Sequence, residues 1–140
     1  MKEKYTFEEA QCFFGGALPP GLSIHRLSDD LRNSLTKAST KLPKMVVEWA
    51  SENIIFISSN DESPAFVFPN RFNAWVGVVF LSNCILSEPE ERQALIIAHE
   101  IAHLKLKHKI SPFAQLSEEE YQRQEMEASK LAKIWLYQDD

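Results

Sequence analysis

His99-Glu100-Ile101-Ala102-His103 is the stretch on which the reading of this chain turns. Four residues advance an α-helix by about 400°, so histidines at that spacing stack one turn apart on a single face, and both can reach one ion at about 2.0–2.1 Å per nitrogen. Glu100 lies about 100° further round, beside such an ion rather than bonded to it, which is where a general base for a metal-activated water is needed. The neighbours Ala94, Leu95, Ile96, Ile97, Ala98, Ile101, Ala102, Leu104 and Leu106 are apolar on most sides of the helix, which predicts a buried central element. Imidazoles and a carboxylate inside such a helix need partners, because an unsatisfied buried polar group costs roughly 1–3 kcal/mol. A metal ion supplies them; the competing reading is a pair of histidines that merely hydrogen bond in the core.

The flanking residues delimit the elements. Ser87 with Glu90 has the capping-box pattern and Pro89 suits a first turn, so the helix is predicted from about Glu88 to His108, ended by Ser111-Pro112. Ser117 with Glu120 is a second capping-box pattern, opening a last helix to about Tyr137 with Leu131, Ile134 and Trp135 on its apolar face. Upstream, Ala65 to Phe68 and Asn73 to Leu81 are rich in valines and aromatics on either side of a Pro69-Asn70 turn, and both read as strands. Met45 to Trp49 and Asn53 to Ser58 read as a hairpin or two successive strands. Asp29 to Leu42, capped by Ser28 and with Leu31, Leu35 and Ala38 at helical spacing, reads as an amphipathic helix ending before Pro43. The glycine pair Gly15-Gly16 confines anything earlier to a short helix or arm plus a turn.

A chain of 140 residues suits one core, so residues 1–140 are expected to form a single domain, with 1–42 as its helical N-terminal portion. Hydrophobic residues at 44% and charged residues at 25% are ordinary globular values, which predicts unaided folding. A formal net charge of -5 gives no attraction for phosphate backbones or anionic headgroups, which argues against nucleic acid and membrane partners. The start MKEKYTFEEAQCFF lacks the apolar core of a signal peptide, and the longest apolar run, Ala74 to Leu81, is too short to cross a bilayer. A cytoplasmic protein is expected, with Cys12 and Cys84, which match no CxxC pattern, as reduced thiols.

Two histidines leave a catalytic zinc one protein ligand short. The spacing HExxHxxGxxH is closed, because Leu106 and Lys109 hold the positions of its glycine and last histidine. His108 is about 140° round the helix from His103 and reads better as a cation at the helix end than as a ligand. A carboxylate on the final helix should complete the set. Glu118, Glu119 and Glu120 are explained as first-turn charges facing the helix dipole, which leaves Glu125 and Glu127.

With these residues the sequence resembles the gluzincins, in particular the ImmA/IrrE-like metallopeptidases and the soluble catalytic core of HtpX-like peptidases. In those families the ligand glutamate opens an ExxAD or ExxAN pattern on a helix after HExxH, and Glu125-Met126-Glu127-Ala128-Ser129 matches except at its last position. The resemblance implies Glu125 as third ligand, with Glu127 in reserve. Ser129 replaces the residue whose hydrogen bond orients a ligating histidine, which implies weaker zinc binding. HEIAHLKLKH is similar to the HtpX-like active-site helix, and Asn73-Ala74-Trp75 to that group's strand motif; together the likeness covers about residues 72–136. It implies that this strand is a sheet edge pairing with extended substrate, which makes Trp75, Val76, Gly77 and Val78 candidate substrate-binding residues on a rail running to Phe80. From alternation alone an interior strand is equally open.

The expected architecture is an α+β zincin-like domain: a small twisted sheet from about Met45 to Leu86, the HExxH helix, and a C-terminal glutamate helix closing the cleft. The expected function is a zinc-dependent endopeptidase acting on a protein or peptide, with His99, His103 and Glu125 on Zn2+ and Glu100 as base. The alternative is a slow or inactive zinc-binding regulatory module on the same scaffold. Tyr121 is a conceivable oxyanion donor, although packing explains it better. The first 40 residues either cover the cleft as an inhibitory arm or finish the core.

Overall fold

In the computed structural model, residues 3–14, 25–60, 63–69, 77–108 and 116–137 are described. The glycine pair Gly15-Gly16, the strand start Asn73-Ala74-Trp75-Val76, Lys109 and the expected helix stop Ser111-Pro112 lie outside them. The order of elements is α1 (Phe7–Ala10), α2 (Asp29–Ser39), α3 (Lys44–Asn53), β1 (Ile54–Ser59), β2 (Ala65–Pro69), β3 (Gly77–Ser82), a 3-10 turn (Asn83–Ser87), α4 (Glu90–Lys105) and α5 (Glu118–Tyr137).

The fold is α+β and zincin-like. The sheet order is β1-β3-β2, with β1 parallel and β2 antiparallel to the central strand. The outer edge of β1 is covered by Arg26, which donates its N–H to Phe56 and accepts the Ser58 N–H. No strand among the described residues covers the outer edge of β2. The HExxH helix α4 touches α2, α5, β2 and β3, and it buries Ala94, Ile97, Ala98, Ile101, Ala102 and Leu104. That spacing of three and four residues is the apolar stripe of a core helix. Ala128 and Ala132 of α5 are fully buried like Ala98 and Ala102 of α4, so the two helices approach over small side chains.

Several expectations need correction. Residues 44–53 are helical, so the sheet starts at Ile54 rather than near Met45. Val46, Val47 and Ala50 bury one helical face, and this tertiary burial outweighs the β-propensity of the valines. The Ser87–Glu90 box does not form: Ser87 Oγ donates to the Cys84 carbonyl, and α4 begins at Glu90 behind Pro89 without a side-chain cap. Helix α4 ends at Lys105, short of His108. By contrast Ser28 Oγ accepts the Leu31 N–H and Ser117 Oγ accepts the Glu120 N–H, as their spacings predict. Cys12 and Cys84 are both exposed, and neither is in a disulfide.

The described part of the N-terminal segment finishes the core. Phe14, Leu31, Leu35 and Ala38 join Ile97, Ile101, Ala132 and Trp135 in one apolar cluster, and Ser34 Oγ donates to Gln93 Oε1 across the α2–α4 contact at 2.5 Å. No helix among the described residues is long and apolar enough to cross a membrane.

Candidate metal centre

Helix α4 carries His99 and His103 on one face, and α5 brings Glu125 against them. His99 Nε2 lies 2.8 Å from Glu125 Oε2, His103 Nε2 lies 3.3 Å from Glu125 Oε1, and the two Nε2 atoms are 3.0 Å apart. Among the described residues, His99, His103 and Glu125 form a group whose potential ligand atoms all lie within 4.8 Å of one another. Ligand atoms about 2.0–2.1 Å from a tetrahedral ion sit about 3.3 Å from each other, so the three atoms surround a zinc-sized position with little adjustment.

The other ring nitrogens test the fit independently. A cation taken by both Nε2 atoms requires a proton on each Nδ1, and each Nδ1 needs an acceptor. For His99 it is Ser129 Oγ at 3.1 Å, so this serine reaches the imidazole despite its short side chain. For His103 it is the Nδ1 of His108 at 2.9 Å. His103 is almost completely buried, and burial, then the neighbouring His99 ring, hold it down to about 4, so in the chain alone it is a neutral imidazole with a lone pair to offer.

Glu100 lines the same cleft as His99, Glu125 and Ser129, a space of about 390 Å3. Burial, then the charge of Glu125, raises its carboxyl to about 7. Both effects favour the protonated carboxyl in the chain alone. Pro64 and Ala65 lead into β2 along one wall, and Leu95 and Ile96 of α4 supply apolar surface. Tyr121 is exposed and is not among the residues lining this cleft.

The proposed rail is corrected. Gly77 and Val78 lie on the central strand, paired with Ile54 and Ile55 on one side and with Pro69 and Phe68 on the other, so they are not an edge open to a peptide. Trp75 and Val76 lie outside the described residues. Among the described residues β2 is the strand with an uncovered edge, and its first residue Ala65 lines the cleft; sequence alternation could not single it out because Ala65 to Pro69 and Gly77 to Leu81 are equally apolar. Glu127 is turned away from the ion position: its Oε1 accepts from His108 Nε2 at 2.9 Å and from Arg123 at 3.2 Å.

Compared with known families, residues 53–136 match the model described as the IrrE N-terminal-like domain, Peptidase_M78. No curated protein and no solved structure matches the chain.

Proposed function

Since the chain belongs to the IrrE N-terminal-like domain family, Peptidase_M78, we propose that it is a zinc-dependent endopeptidase with His99, His103 and Glu125 as ligands and Glu100 as base. The observation that carries this reading is the convergence of two Nε2 atoms and a carboxylate in one cleft with Glu100, while both Nδ1 atoms have acceptors of their own. Zinc held there would supply a Lewis acid that polarises a carbonyl and acidifies water.

The remaining work falls to the chain itself. The Glu100 carboxylate accepts a proton from the attacking water and returns it to the departing amine nitrogen, which needs no other titratable group. The outer edge of β2 presents backbone donors and acceptors to an extended peptide, and Leu95 and Ile96 receive an apolar side chain from it. Strand addition of this kind is sequence-tolerant, so the substrate class is an unfolded or extended segment of protein.

The test sets the wild type beside Glu100→Gln, both zinc-loaded, against a pool of unfolded proteins with cleavage products identified by mass spectrometry. The wild type is expected to cut, and Glu100→Gln to keep its zinc while losing roughly 100-fold to 10,000-fold in rate. Equal rates would remove Glu100 from the mechanism. A fully loaded wild type that cuts nothing would favour a binding module on the same scaffold.

A further inference from the structure

Behind the metal centre, away from the cleft, runs a second chain of polar contacts. His103 Nδ1 meets His108 Nδ1 at 2.9 Å, His108 Nε2 meets Glu127 Oε1 at 2.9 Å, and Arg123 Nη1 donates to both oxygens of Glu127 at 3.2 and 3.4 Å. Proton directions agree along the whole path. If His103 binds an ion through Nε2, its Nδ1–H donates to an unprotonated His108 Nδ1; His108 then carries its proton on Nε2, which donates to a carboxylate neutralised by a guanidinium. No donor faces a donor anywhere.

The backbone is bent to make this contact. Had α4 continued, His108 would point about 140° away from His103. Instead Lys107 takes a left-handed conformation with φ 59, and the Lys107 and His108 N–H groups bond to the carbonyls of Leu104 and His103 at 3.1 and 3.0 Å. This is a complete Schellman turn with lysine where glycine is usual, so a side chain is held in a sterically costly conformation. Its effect is to fold His108, buried at 8% exposure, back onto the ring of His103, with centroids 5.1 Å apart.

We propose that His108 and Glu127 are positioning residues of the metal centre, forming an imidazole–carboxylate relay that fixes the tautomer and ring orientation of His103. The proposal rests on the ligand set given above. A carboxylate two bonds removed from the ligand raises the basicity of His103 through the intervening imidazole, the role a directly bonded carboxylate has in simpler sites. Ser129 does the corresponding task for His99 with a single neutral hydroxyl, so the two ligands are supported independently and unequally.

Zinc affinity is measured by competition with a chromophoric chelator, together with the visible spectrum of the cobalt(II)-loaded protein, in the wild type, Glu127→Gln, His108→Phe, the double variant and Ser129→Ala. Glu127→Gln is expected to weaken zinc about 10-fold and His108→Phe about 10-fold to 100-fold, each shifting the cobalt bands. The double variant should bind no more weakly than His108→Phe alone, because the carboxylate acts only through the imidazole, whereas the loss from Ser129→Ala should multiply with either. Wild-type affinity and spectrum in Glu127→Gln, or losses that multiply in the double variant, would overturn the relay. A wild type that takes up no zinc at all would remove the ligand set itself, an outcome visible before any variant is compared. Glu127 is half-exposed, so Glu127→Gln decides the matter even where His108→Phe does not fold.

Discussion

At the scale of single residues, the histidines of this chain are governed by where their protons can sit. His25 is buried at 5% exposure against the rings of Phe14 and Phe56, and its Nδ1 accepts the Phe56 N–H at 3.1 Å. Burial, then the nearby charge of Arg32, lowers it to about 4, so the folded chain keeps it neutral while the unfolded chain protonates it near 6.5. Its contribution is therefore complete above about pH 6.5 and lost as pH falls towards 4, with a ceiling of about 3 kcal/mol, about 2 of which is gone by pH 5. Urea denaturation of the wild type and His25→Phe side by side at pH 7 and pH 5 separates this drop from the shifts at Glu100 and His103, which titrate in the same window. His25→Phe should lower stability at pH 7, because Phe56 loses its acceptor, yet flatten the pH dependence; an unchanged slope would contradict the assignment. At this scale His99 and His103 were legible because their four-residue spacing stacks them on one helical face, with Glu100 about 100° further round. His108 was not, since reading it assumed a helix that continues.

At the scale of elements, what escaped the sequence is where tertiary contacts override local preference. The β-branched and aromatic residues from Met45 to Trp49 favour a strand, and burial of Val46, Val47 and Ala50 on one face makes α3 helical instead. For β3 the family resemblance implies an edge while apolar alternation leaves edge and interior equally open, and the strand lies between β1 and β2. The capped starts of α2 and α5 were legible because serine has a definite local bond to make there. The end of α4 carries no such mark, since Lys107 stands at the left-handed position usually held by glycine. Lys107→Gly should relieve that conformation and raise stability by about 0.5–1 kcal/mol in denaturant titrations, with the turn and His108 left in place. An unchanged or lower midpoint would mean that lysine is not strained there.

At the scale of the whole molecule, the family match begins at residue 53, yet the core it needs begins much earlier. Leu31 and Leu35 are fully buried, and α2 packs on the helix that carries the histidines. Removal of residues 1–42 should therefore expose the inner face of α4 and abolish cooperative thermal unfolding, since even one large-to-small change at such sites costs about 2–5 kcal/mol. A truncated chain that melts cooperatively and cuts faster would instead make this segment an inhibitory arm. The sequence left those two options open because an amphipathic helix covers a cleft or a core with the same apolar face.

All of these scales meet at one position between α4 and α5, and anomalous X-ray scattering at the zinc absorption edge, on crystals grown with one equivalent of zinc, tests it most directly. A single peak is expected about 2.0–2.1 Å from His99 Nε2, His103 Nε2 and a Glu125 oxygen. A map without a peak there, or with zinc held only by other residues, would contradict it.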